Sequence, residues 1–222
     1  MTTTLIVDLM PGRIDEYEEL ISENPIFLER TKGVGVITKE QAMDLGATGP
    51  IARAAGVDWD LRRDMPYEAF PDVEFEVPIR TEGDVYARYK VRMDEMRQSV
   101  AIVRQLMEKM PDGDHKNMDP KLTPPPRSEM KHSMEAVIHH YKLMTQGYVV
   151  PEGETYRAVE SPRGLYSVYA ISDGGPTPYR FRMRDPSFIS LQAIPKLMPG
   201  RLVADTMAVM ASFDPVMGGV DK

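Results

Sequence analysis

The sequence contains no cysteine. Disulfides, thiolate zinc sites, thiolate-held nickel and thiolate-held iron–sulfur clusters are therefore excluded from this chain. Histidine is scarce, and His132, His139 and His140 fall in one segment at spacings of seven and one. That is not the i,i+4 spacing of a helical metal pair, so they read as solvated or packed side chains. The formal net charge is −7 with both signs spread along the chain, and no basic cluster points to nucleic acid. No apolar run reaches the roughly eighteen residues of a membrane-spanning helix. The opening stretch, MTTTLIVDLMPGR, lacks the charged start and apolar centre of a signal peptide. There is no nucleophile elbow and no HExxH. Lys32 to Val36 is glycine-rich but has neither GxGxxG nor a P-loop lysine, and reads as a turn. Asp58 and Asp60 could hold a cation, but Arg62 and Arg63 beside them oppose it.

What is present is helical periodicity and methionine, seventeen in all, many on helical stripes where an unbranched thioether fills irregular gaps. Thr81 to Met110 carries apolar residues at Val85, Tyr89, Met93, Met96, Val100, Val103, Met107 and Met110, a stripe on one helix face. Thr81 is the expected cap, and Pro111 and Gly113 the stop. Asp84 with Arg88 and Arg104 with Glu108 are expected as i,i+4 pairs on the wet face. At about 1.5 Å per residue this helix would be about 45 Å long and needs other helices against it.

Around it the chain predicts shorter elements. Arg13 to Glu23 is an amphipathic helix ended by Pro25. Thr38, with Gln41 in the capping-box position, opens a short helix that Gly46 closes. Pro50 opens another that ends at Gly56. Gly56 to Asp64 reads as a surface loop with local ion pairs. Asp72 to Ile79 alternates Val73, Phe75, Val77 and Ile79 with polar residues, predicting a half-buried strand. Asp112 to Pro126 is a proline-rich crossing. Ser128 to Gln146 is a second long helix with Met134, Val137, Ile138, Tyr141 and Met144 or Thr145 on its stripe. Thr155 to Glu160, Leu165 to Ile171 and Pro178 to Met183 are three strands, the last two joined through Ser172-Asp173-Gly174-Gly175. Phe188 to Leu197 and Leu202 to Ala211 are helical, and a compact, non-helical tail follows. The expectation is an α+β protein: a long-helix bundle core with a small antiparallel β-sheet. Its regions are 1–80, helical and looped with one strand; 81–150, the bundle helices and proline-rich crossing; and 151–222, the hairpin, C-terminal helices and tail.

Several long blocks resemble one family, in the family's order: EYEELISENPIFLERTKGVGVI, TGPIARAAGVDWDLRRDMPYEAF, VPIRTEGDVYARYKVRMDEMRQSV, TPPPRSEMKHSMEAVIHH, YAISDGGPTPYRFRMRDPSFISLQAIP and the terminal FDPVMGGVD. From about Leu5 onward the chain is similar to the 49 kDa (D) subunit of the NADH–quinone oxidoreductase, respiratory complex I. That family is related to the large subunit of nickel–iron hydrogenases, so the resemblance implies a hydrogenase-large-subunit-like fold. The hydrogenases end in a DPCxxC motif whose cysteines bind nickel. Val216 and Gly219 stand at those two positions, and neither can coordinate a metal. The family's pocket has become part of the quinone site.

The resemblance implies that Asp214, Val216, Met217 and Gly218 face the quinone chamber, that quinone is the substrate, and that this chain binds no cofactor or metal itself. The 4Fe–4S cluster would be held by the small (B) subunit. Further implied partners are the 30 kDa-type (C) subunit, the membrane quinone-site (H) subunit and the N-terminal half of the D subunit, with a peripheral location on the cytoplasmic face of a bacterial inner membrane. The family's chain is nearly twice as long; Met1 matches a mid-family position, and the half carrying the histidine and tyrosine that contact the quinone head precedes it. The fold is thus expected to be truncated at the N-terminus, and the chain inactive alone. Leu165, Gly219 and Lys222 depart from the family's usual glutamate, acidic residue and arginine. A non-catalytic assembly fragment, or a subunit of a related membrane redox complex, stays open as the alternative.

Overall fold

The structure, a computed structural model, describes residues 2–221, with side chains from Ile6 onward. Lys222, where the family carries arginine, lies outside the described residues. The chain divides into two compact units. One holds the residues up to Met110, Ala158–Ser167 and the chain from Arg184; the other holds Pro111–Arg157 and Val168–Met183.

The first unit opens with α1 (Thr2–Tyr17), which begins well before the expected Arg13 and runs on as a π-helical turn, Glu18–Ser22. Pro25 starts a helix instead of ending one: α2 (Pro25–Thr31) is capped by Asn24, whose side chain accepts from the amides of Ile26 and Phe27. Then come α3 (Lys39–Asp44), with the expected Thr38–Gln41 capping box, α4 (Pro50–Ala54) and α5 (Leu61–Asp64).

The long helix is α6 (Val85–Lys109), 25 residues and so about 37 Å at about 1.5 Å each. It starts later than Thr81 because Asp84 is the stronger cap. The Asp84 carboxylate accepts from the amides of Ala87 at 2.7 Å and Gly33 at 2.8 Å, two charge-assisted bonds. Gly83 makes the preceding turn at φ +64, and a Cβ there would lie 2.0 Å from the Ile37 carbonyl oxygen. The helix packs against α1, α2, α4 and the C-terminal helix α10 (Val203–Phe213). Glu18 pairs with Lys90 and Arg97, and Asp15 with Arg97, fastening α1 to it. The expected wet-face pair of Asp84 and Arg88 is overturned: both residues are buried. Arg104 reaches Asp8, at 3.4 Å, rather than Glu108.

Asp72 to Ile79 is extended but pairs with no strand, correcting the expected strand of the 1–80 region. Its backbone groups are taken up by glutamines of α6: Gln105 accepts from Glu74 N at 2.9 Å and donates to Glu74 O at 2.7 Å, and Gln98 accepts from Glu76 N at 3.1 Å. Those bonds satisfy the segment as a ladder would.

The expected sheet is present as β1 (Gly153–Ser161), β2 (Gly164–Ser172) and β3 (Arg180–Arg184), in the order β1-β2-β3. In the second unit, the predicted 128–146 helix is interrupted. A 3-10 turn, Glu129–Lys131, precedes α7 (Met134–Thr145), because extended Ser133 caps α7 by accepting from Ala136 N. The α7 stripe is not core. Met134, Val137, Ile138, Tyr141 and Met144 are 43–78% exposed.

Past β3 the predicted 188–197 helix is two: α8 (Pro186–Leu191) and α9 (Ile194–Leu197), the second opened by Pro195, which has no amide to continue the ladder. The tail carries one helical turn, α11 (Met217–Val220), in place of the expected non-helical ending. The main core joins Ile37, Ala42, Ile51, Val85, Val209 and Phe213, so the α10 end that precedes the tail is anchored in the most buried part of the unit.

Candidate functional site

The tail leaves the core at a fixed angle. Phe213 ends α10 at 2% exposure, and Asp214 turns the chain at φ +50, a left-handed conformation that aspartate tolerates better than most residues. Arg163, in the β1–β2 turn, holds Asp214 twice: Nε donates to its carbonyl at 2.8 Å and Nη2 pairs with its carboxylate at 3.0 Å. Val216 N donates to the buried Ser187 hydroxyl at 3.3 Å. Gly219 then seats against α8; a Cβ there would lie 2.1 Å from the Asp185 carboxylate. Between these two fastenings Val216 and Met217 are 41% and 66% exposed, and Gly218 is exposed.

Asp214 lines two clefts. The more apolar one, about 440 Å³, lies among Phe27, Val85, Tyr89, Ala208 and Ala211. The more polar one, about 480 Å³, lies among Arg53, Arg62, Glu95, Met96 and Glu160. Arg92 lines both. The structure brings Asp214 alone of the expected residues to these clefts; Val216, Met217 and Gly218 face outward and line neither. A larger, mostly apolar cavity of about 700 Å³ lies in the second unit, walled by Tyr148, Val150, Ala170, Ile171 and Phe181.

Behind the polar cleft sits a buried charge cluster. Arg53, 1% exposed, donates through Nε to Glu95 at 2.8 Å and through Nη1 to Glu160 at 2.8 Å and the Trp59 carbonyl at 3.2 Å, with Asp60 at 3.3 Å. Arg62 pairs with Asp60 at 2.6 Å. Burial pushes the Asp60 carboxyl up, but the bonds from Arg62 and the charges of Arg53 and Arg62 more than reverse this, leaving it below the ordinary range. For Glu95 and Glu160 burial wins over the pull of Arg53, and both are raised. Arg92 is lowered by burial, against the attraction of Asp214 and Glu95; its Nε and Nη2 are buried without partners.

The 56–64 stretch departs from the expected surface loop. Its outer pairs are there, Arg63 with Asp58 and Asp64, but Asp60 and Leu61 are buried and Asp60 caps α5. Sequence pattern does not reveal Arg53, Arg88, Arg92, Glu95 and Glu160 as a set. The one available signal is phase: Arg88, Arg92 and Glu95 step by four and three, beside Tyr89, Met93 and Met96 on the same helix. No group of three or more His, Asp or Glu placed to hold a metal occurs among the described residues, and Val216 and Gly219 offer no donor. No described helix is long and apolar enough to cross a membrane.

Residues 2–222 match the family described as the respiratory-chain NADH dehydrogenase 49 Kd subunit. The chain is 52% identical over 217 residues to the NADH-quinone oxidoreductase D 1 subunit of Roseiflexus castenholzii, covering 96% of this chain and 52% of that protein. It is 51% identical over 215 residues to the D 2 subunit of Koribacter versatilis, covering 97% and 54%, and 49% identical over 215 residues to the D subunit of Rhodospirillum rubrum, covering 97% and 55%. The chain thus spans about half the length of the curated relatives it matches.

Proposed function

The chain belongs to the family of the respiratory-chain NADH dehydrogenase 49 kDa subunit, and from that premise we propose that it forms the C-terminal part of the wall of the quinone-reduction chamber in an NADH:quinone oxidoreductase. The carrying observation is the tail: Asp214 pinned by Arg163, Gly219 closed against Asp185, and Val216, Met217 and Gly218 presented between them as an outward apolar strip. An apolar strip with few polar groups beside it suits a quinone head and the start of its tail. On the hydrogenase-like reading of the fold, Val216 and Gly219 stand where nickel ligands would be, and neither side chain fits a metal.

In this reading electrons reach quinone from a 4Fe–4S cluster held by the small (B) subunit. The 30 kDa-type (C) subunit, the membrane (H) subunit and an N-terminal half of the 49 kDa subunit complete the surroundings, on the cytoplasmic face of the membrane. The chain alone is inactive. The exposed α7 stripe favours a second reading, an assembly module that docks without taking part in redox chemistry.

Val216→Trp in the assembled complex separates the two. The chamber reading expects a changed KM for quinone and changed inhibitor sensitivity at unchanged assembly. Unaltered quinone kinetics in a fully assembled complex would overturn it and leave the assembly module.

A further inference from the structure

Asp60, Glu95 and Glu160 crowd around Arg53 and Arg62, the cations within 4 Å of them among the described residues. Asp60 takes the larger share. Both arginines reach it, and the Arg62 amide donates to it at 2.9 Å. Glu95 and Glu160 are left to divide Arg53 between them. Glu160 is the more constrained: its side chain is 2% exposed, one oxygen meets Arg53, and Oε2 is buried without a partner. A bare buried carboxylate oxygen is costly, and a second carboxylate on the same guanidinium adds repulsion. One proton relieves both costs.

We propose that Glu95 and Glu160, which share the Arg53 guanidinium, together form a proton-binding site that takes up and releases one proton through the cleft that Asp214 also lines. Glu95 supplies the exit, because its side chain keeps 14% exposure and faces that cleft. Uptake or release forms or breaks one carboxyl O–H bond and moves one proton to or from water in the cleft; no electrons move. The charged and titratable groups around the pair are Arg53 from α4, Asp60, Arg62 and Tyr67 from the 60–67 segment, Arg92 from α6, and Asp214, which also lines the cleft and is paired with Arg163. The Tyr67 hydroxyl accepts from the Glu160 amide at 3.0 Å and fixes the strand that carries it. Burial raises both glutamates, in agreement with this geometry. The site stands whether or not the chamber reading holds.

The test is a pH titration of the chain with carbon-13-labelled glutamate, following each side-chain carboxyl by NMR. One glutamate signal should titrate above the ordinary range near ~4.3. Glu160→Gln should abolish that titration, and Glu95→Gln should move it down, because Glu160 then has Arg53 to itself. The wild-type titration decides even if one variant fails to fold. The proposal is overturned if every glutamate ionises in the ordinary range, or if the high titration survives either substitution unmoved.

Discussion

Arg88 Nε lies 2.9 Å from the Ser212 hydroxyl, joining residues 124 positions apart inside the core. The same guanidinium donates to the Gly83 carbonyl at 2.8 Å and the Gly35 carbonyl at 3.0 Å, and sits 5.0 Å from the centre of the Phe213 ring. It ties the start of α6, the Lys32–Val36 turn and the end of α10, the three pieces that aim the tail.

Arg88→Met should therefore unfold more easily than any surface arginine variant. The substitution keeps the stem but strands two carbonyls, at about 1–3 kcal/mol for each group left unsatisfied. We expect a loss of about 3 kcal/mol or more in a urea titration, against less than about 0.5 kcal/mol for Arg104→Met on the exposed side. Equal losses would show that the buried bonds do not hold the core.

Asp60→Asn should be among the most destabilising single-atom exchanges in the chain. It keeps a capping oxygen for Arg62 N but leaves Arg53 and Arg62 underpaired in a buried site, a change worth about 3–5 kcal/mol. The pH dependence has a definite sign. The folded Asp60 carboxyl lies below its unfolded value. Its contribution is therefore present above the unfolded pKa near ~3.9 and lost as pH falls through the folded value. The gap between wild type and Asp60→Asn should narrow on acidification below about pH 4 in chemical denaturation.

What the sequence makes legible divides along sequence distance. The Thr38–Gln41 box, the Pro50 helix start and the Ser172–Gly175 turn are local, set by residues three or four apart, and they form as expected. The Arg53 cluster draws on Glu95 and Glu160, 42 and 107 positions away, and no local pattern announces it. Arg88 misleads because a helical wheel sends charge to water, whereas α6 is covered on several sides and buries it with carbonyl and hydroxyl partners. The 72–79 alternation is real, but glutamine side chains rather than a neighbouring strand satisfy it. On α7 the period is right; periodicity records a face and says nothing about what covers it.

Gly219→Ala should cost stability through Asp185. The new methyl would press on the carboxylate that caps α8 by accepting from Ser187 N at 2.7 Å. Loss of the cap is worth about 1 kcal/mol and overpacking about 1–3 kcal/mol. Asp185→Ala alone loses the cap, and adding Gly219→Ala to it should cost little more. A double-mutant cycle by thermal denaturation reads this as strong non-additivity; simple additivity would place the two residues out of contact.

The α7 stripe gives the last expectation. Ile138 and Tyr141 are 48% and 65% exposed, on a helix whose one buried residue is Ala136. Exposed apolar patches bind solvatochromic dyes and mark sites where other surfaces dock. The isolated chain should therefore light up such a dye, and Ile138→Ser with Tyr141→Ser should cut that signal severalfold. Because neither side chain is core, the double variant should unfold within about 0.5 kcal/mol of wild type. A large stability loss would instead mean that the stripe packs inside the chain in solution. An unchanged dye signal would move the exposed patch elsewhere, with Tyr148 and Val149 the next candidates at 57% and 64% exposure.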